Sequence, residues 1–89
     1  MIERQVEIIN RLGLHARAAA KLVHLTGEYS SRVWMAKDGE EVDAKSILGI
    51  LLLAAAQGST VIVKCEGDDE AAAMQAVTDL IASGFDEES

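Results

Sequence analysis

The sequence predicts a single α+β domain in which helices cover one face of a mainly antiparallel sheet, and three observations carry that expectation. Stretches of period two alternate with stretches of helical period. The connections are shorter than the crossovers of a parallel doubly wound sheet would require. The 89 residues suffice for one domain and not for two. Hydrophobic residues make up 49% of the chain and aromatics only 3%, so aliphatic side chains and alanine must build the one modest core that a chain of this size can hold.

Taken in order, Ile2, Val6 and Ile8 alternate with Glu3, Gln5 and Glu7, the pattern of a half-buried strand. Asn10-Arg11-Leu12-Gly13 breaks it, with Gly13 free to adopt conformations closed to other residues. Ala19, Leu22, Val23 and Thr26 then recur at helical spacing, and Gly27 is a natural stop, so a helix is expected from about Ala16 to Thr26. Arg32 to Ala36 reads as a strand, Asp38-Gly39 as a hairpin turn, and Glu41-Val42-Asp43 as the returning strand. Ser46 precedes a second helix expected from Ile47 to Ala56, ending near Gln57-Gly58. Thr60 to Glu66 is β-branched and strand-like. Asp68-Asp69-Glu70 places negative charge at the start of a last helix, where the macrodipole favours it. Ala73, Val77, Leu80 and Ile81 give that helix an apolar stripe, and Gly84 closes it. Asp86-Glu87-Glu88 lies at the wrong end of the dipole, so residues 86–89 are expected to fray. The order is β-α-β-β-α-β-α, without repeats or linkers.

Composition excludes several classes of function. The net charge of −7 would repel nucleic acid unless a basic patch compensated, and Arg11, Arg17, Lys21, Arg32, Lys37, Lys45 and Lys64 are scattered singly. Cys65 is the only cysteine, so no internal disulfide forms and nothing suggests secretion. The start, Met1-Ile2-Glu3-Arg4, lacks the layout of a signal peptide. The apolar run from Ile47 to Ala56 falls short of the ~20 residues that span a membrane. The expectation is a cytoplasmic monomer that binds neither membrane nor nucleic acid. No ligand cluster suggests a metal, no cofactor is implied, and a metal-dependent hydrolase is rejected. His24 reads as a surface residue nine positions after His15, Cys65 as a small buried hydrophobe, and Trp34 as a strand residue without a stacking partner.

His15 is the candidate for chemistry, because it stands where a glycine loop meets a helix. The first backbone N–H groups of a helix lack intrahelical partners and together favour an anion. A phosphoryl group on His15 would sit at that positive end. Arg17 could add a forked, permanently charged donor. The same surroundings should disfavour the imidazolium form and leave a neutral nitrogen free to attack phosphorus. Spacing alone leaves open that His15 is only a cap and Arg17 only a solvated side chain.

Asn10-Arg11-Leu12-Gly13-Leu14-His15-Ala16-Arg17 resembles the active-site signature of HPr, the histidine-containing phosphocarrier of the bacterial phosphotransferase system. Asp43-Ala44-Lys45-Ser46-Ile47-Leu48-Gly49 resembles that family's second signature, so the likeness covers nearly the whole chain. The resemblance implies an open-faced β-sandwich, a four-stranded sheet with three helices on one face. It also implies a phosphocarrier rather than an enzyme. His15 would accept phosphate at Nδ1 from enzyme I with the help of Arg17, then pass it to a histidine of an enzyme IIA-type protein. One departure is Ala18, where the family usually has proline; alanine restores an N–H that a first-turn proline lacks. Ser83-Gly84-Phe85-Asp86-Glu87 resembles the tail of the nitrogen-related branch, whose phosphate serves regulation more than sugar uptake. The sugar-uptake carrier is the alternative.

The second helix is apolar around most of its circumference, whereas a two-layer domain can bury only one stripe of it. Ile50, Leu53 and Ala54 fit that stripe, which leaves Ile47, Leu48 and Leu51 facing outward as a partner patch, unless the helix sits deeper in the core. The resemblance adds Ala16 and Ala20 to the ring around the histidine. Ser46 is a good N-cap without a full capping box. In many relatives a serine at the matching place is phosphorylated by an HPr kinase/phosphorylase, which would set negative charge beside the patch. From a different class, the chain could be a regulatory module that docks through Ile47, Leu48 and Leu51 and needs no phosphate.

Overall fold

Alternation along the strands decides which side of the sheet is covered. The computed structural model describes residues 1–87. It contains β1 (Ile2–Glu7), α1 (Ala16–Thr26), β2 (Arg32–Lys37), β3 (Glu40–Asp43), α2 (Ile47–Leu52), β4 (Thr60–Glu66) and α3 (Glu70–Ala82). Val33 and Met35 of β2, with Val61, Val63 and Cys65 of β4, are fully buried. The residues between them, Trp34, Ala36, Ile62 and Lys64, face the other side and are half-buried or exposed. All strand pairs are antiparallel, in the order β1-β4-β2-β3. Asp38 and Gly39 both adopt left-handed backbone, with φ of 51° and 86°, which suits the tight turn between β2 and β3. The expected α+β layer with helices on one face is therefore the observed architecture.

The helices cover the inner face. α3 packs on β1 and β4, and α1 packs between α2 and α3. Leu22, Ile50, Met74, Val77 and Ile81 meet the strand residues in one core. Burial raises the ordinary pKa of the Cys65 thiol, helped by the nearby charges of Glu70 and Asp69, as befits a small core residue. Asp69 is the N-cap of α3 but makes no side-chain cap bond. Its carboxylate reaches across the fold instead, accepting from the amides of Ser30 and Ser31 at 2.9 Å and from the Ser31 hydroxyl. Those bonds hold the Asp69 pKa down to about 2.

Three expectations for the second helix need correction. The second helix stops at Leu52 rather than near Gln57. Its last turn tightens, with Leu53 N–H donating to Ile50 O and Ala54 N–H to Leu51 O, and Ala54 turns to a φ of 49°. The chain beyond is needed elsewhere, since Ala55 is buried and its carbonyl accepts from the amide of Leu14 at 2.9 Å. Leu51 faces outward less than expected: it is half-buried against the core, and Leu52 is the exposed residue. Ala54 is likewise exposed instead of lying in the buried stripe.

Asp86, expected to begin a frayed tail, lies in the turn that follows α3. Phe85, the only phenylalanine, is fully buried, which stabilises by ~2–3 kcal/mol, and its carbonyl accepts from Lys21 Nζ at 2.6 Å. Glu87 N–H donates to Gly84 O. The rest of the expected tail, residues 88–89, lies outside the described residues.

Candidate functional site

The loop after β1 is built to present one histidine. Ile8 N–H donates to Ser59 O at 2.8 Å and Gly58 N–H to Ile8 O at 2.7 Å, tying the end of β1 to the start of β4. The backbone then closes on itself. Gly13 N–H donates to Asn10 O, and Asn10 Nδ2 donates to Gly13 O at 2.7 Å. Gly13 has a φ of 65°, and a Cβ there would sit 2.4 Å from the Ala55 carbonyl oxygen, so only glycine lets the loop press against the chain that follows α2. Leu14 is buried beside it and anchors the next residue.

That residue is His15, the N-cap of α1, with extended backbone. Its Nδ1 accepts from the Arg17 N–H at 3.2 Å, the role that serine or aspartate commonly plays at a helix start. An accepting Nδ1 carries no proton, so the ring proton of the neutral form resides on Nε2. Nε2 in turn faces Glu87 Oε1 in a short contact. The other Glu87 oxygen accepts from Asn10 Nδ2 at 3.2 Å. The His15 hydrogen bond, followed by that of Asn10 and the charges of His15 and Lys21, lowers the pKa of the Glu87 carboxyl against the opposing effect of burial. His15 keeps 27% of its side-chain surface and Glu87 15%, so the ring is both held and reachable.

Leu12, His15, Ala16, Arg17 and Glu87 line a shallow depression. The Arg17 side chain is exposed and forms no ion pair among the described residues. Ala16 and Ala20 are exposed on α1, and Ala18 is buried in its first turn. On α2, which packs beside α1, Ile47 is 44% exposed and Leu48 69%. Leu52 joins them as a third exposed aliphatic. Ser46 caps α2, its hydroxyl accepting from Gly49 N–H at 3.1 Å. His24 is exposed and stands 3.9 Å from Glu28. Among the described residues there is no cluster of metal-ligating side chains, and no helix is long and apolar enough to cross a membrane.

Sequence reasoning placed His15 at the start of its helix but missed Glu87, the partner of Nε2, and Asn10, which donates to the other Glu87 oxygen. Asn10 was legible only as part of a motif, and Glu87 fell in a stretch read as frayed. The signal that could have found them is Phe85, a lone large apolar residue just past a helix-stopping glycine in a chain poor in aromatics. Such a residue seeks the core and draws the chain after it back over the domain.

Comparison with known proteins adds a second line. Residues 2–83 match the family model described as the PTS HPr component phosphorylation site. The chain is 53% identical over 87 residues to phosphocarrier protein HPr of Cupriavidus necator, covering 98% of each chain. It is 41% identical over 88 residues to phosphocarrier protein NPr of Shewanella violacea, covering 99% of this chain and 97% of that one. The crystal structure of HPr-C-His from Thermoanaerobacter tengcongensis superposes with a TM-score of 0.96 at 48% identity, covering all of both chains (100% each). With a partly exposed histidine at the N-terminus of α1, the expected element order and matches along nearly its full length, the chain belongs to the HPr family, the phosphocarrier proteins of the phosphotransferase system.

Proposed function

We propose that His15 takes a phosphoryl group on Nδ1 from phosphorylated enzyme I and hands it to a histidine of an enzyme IIA-type protein. The observation that carries this reading is the position of Nδ1, 3.2 Å from the Arg17 amide at the open end of α1 and on a partly exposed ring. In the transfer, the Nδ1 lone pair forms the new N–P bond while the donor's bond to phosphorus breaks and the donor keeps its electron pair. The proton on Nε2 stays where it is, so the ring becomes positive as the phosphoryl group arrives. The Arg17 N–H, which had been donating to that lone pair, is then free to donate to a phosphoryl oxygen. The helix end and the Arg17 guanidinium offset the dianion. The same contacts are few and exposed enough to let the group leave again.

Ile47, Leu48 and the exposed alanines Ala16 and Ala20 form the docking face in this reading, with Leu51 contributing only its accessible edge. A phosphate on Ser46, added by a kinase of the HPr kinase/phosphorylase type, would keep an acceptor at the start of α2 and repel an acidic partner there. The nitrogen-related branch is supported by the sequence Ser83-Gly84-Phe85-Asp86-Glu87 and by the likeness to a relative named NPr. The general sugar-uptake carrier is supported by the 53% identity to a relative named HPr. Equal amounts of the protein offered to enzyme I of each branch separate the two by rate.

Incubation with enzyme I and labelled phosphoenolpyruvate tests the central claim. The expected label is lost in acid, stable in base and absent from His15→Ala. A label that survives His15→Ala overturns the assignment. Partner binding measured on that variant in parallel distinguishes a carrier from a module that needs no phosphate.

A further inference from the structure

The carboxylate of Glu87 lies between two donors, Asn10 Nδ2 and the Nε2–H of His15. We infer that Glu87 is a positioning residue for phosphoryl transfer, which holds His15 in the tautomer with Nδ1 unprotonated and steadies the positive ring once the phosphoryl group is on Nδ1.

The hydrogen-bond inventory leaves little freedom. Asn10 Nδ2 already donates to Gly13 O, and turning the amide over would set its oxygen against that carbonyl and against Glu87. Both groups facing Glu87 are therefore donors, and only a carboxylate offers an acceptor to each. Arg17 N–H fixes the other ring nitrogen as an acceptor. Every hydrogen-bonding atom around the ring thus specifies one tautomer. When Nδ1 gives its lone pair to phosphorus, no proton has to move, and the charge that appears on the ring faces an existing anion across Nε2.

The segment carrying Glu87 is anchored for the purpose. Phe85 is buried in the core, Lys21 Nζ holds the Phe85 carbonyl, and Glu87 N–H donates to Gly84 O. The buried Asn10, at the far end of the signature loop, completes the link between the end of the chain and the active ring. Glu87 does not touch the incoming group. It acts through His15, much as a carboxylate behind a histidine sets its tautomer and basicity elsewhere.

The inference rests on His15 being the phosphoryl acceptor, and two readouts keep the two ideas apart. The first is the ¹⁵N chemical shifts of the His15 ring, recorded at a pH where the imidazole is neutral, which need no partner. Wild type should show a protonated Nε2 and a bare Nδ1. Glu87→Gln cannot accept from both donors and should show a mixture of tautomers. Asp86→Asn, an equal loss of charge at an exposed neighbour, should match wild type. The second readout is the rate of phosphoryl uptake from enzyme I, expected to fall about tenfold in Glu87→Gln and Glu87→Ala and to stay unchanged in Asp86→Asn. Circular dichroism confirms that each variant is folded. Ring shifts in Glu87→Gln identical to wild type overturn the inference, as does an unchanged rate despite a changed tautomer. A wild-type protein that takes no phosphoryl group overturns the reading of function, while the ring shifts still decide what Glu87 does to His15.

Discussion

Two helices of this fold begin in nearly the same way and end up with different chemistry. α1 starts at His15, whose side chain accepts from an amide two residues on, and α2 starts at Ser46, whose side chain accepts from an amide three residues on. Both present unpaired first-turn N–H groups. The His15 end has a nucleophilic nitrogen, the exposed Arg17, and Glu87 and Asn10 behind the ring. The Ser46 end has only its cap, a six-residue helix, and Ile47 and Leu48 projecting from it. A helix N-terminus is a general attraction for anions, and in the proposed function what converts one into a transfer site is a titratable side chain whose second face is also held.

The sharpest way to break this comparison is to remove each cap. His15→Ala should abolish phosphoryl uptake altogether, whereas Ser46→Ala should leave uptake measurable. A Ser46→Ala protein that takes no label would show that the two helix ends are not independent. Next in size is Phe85→Ala, which empties a buried site and should destabilise by about 3–5 kcal/mol in denaturant unfolding. If the described tail guards only the His15 end, ring signals of His15 should change in that variant while the amides of Ser46 to Gly49 do not.

Gly13→Ala comes third. It combines a left-handed backbone with a clash against Ala55 O and should cost about 2–4 kcal/mol, with slower transfer because the loop carrying His15 must shift. Ser46→Ala should lower stability by about 1 kcal/mol, the usual cost of losing such a cap. The smallest effect is one of pH. Glu87 is held below its ordinary pKa in the folded protein, so its contribution is present above the unfolded value of about 4.3 and is lost as pH falls through the folded value. Amide shifts of Phe85 and Glu87 should therefore change in that acid range, and the Gly49 amide, bonded to an uncharged hydroxyl, should not.

How much of this was legible follows from what each element needs. Strands β1, β2 and β4 and helix α1 are set by local alternation and helical spacing, so their positions could be read within a residue or two. The hairpin was legible in Asp38-Gly39 because its turn demands positive φ at both residues. The end of α2 was not. Leu53 through Ala56 are good helix formers, and only the demand of Leu14 for the Ala55 carbonyl pulls them out of the helix. Leu51 was misplaced for a related reason: in a helix apolar all round, the buried side is chosen by the neighbouring helix and not by the pattern.

The site divides along the same line. The sequence by itself determined that an imidazole would stand at the start of a helix after a glycine loop, because those features lie within eight consecutive residues. It also determined the element order, since each period is local. Only the tertiary structure decided that Glu87 would close on Nε2 with Asn10 holding its other oxygen, because Asn10 and Glu87 are 77 positions apart and no local preference links them. What joins them is the burial of Phe85, a gain available only once the helices have formed a core for the ring to enter.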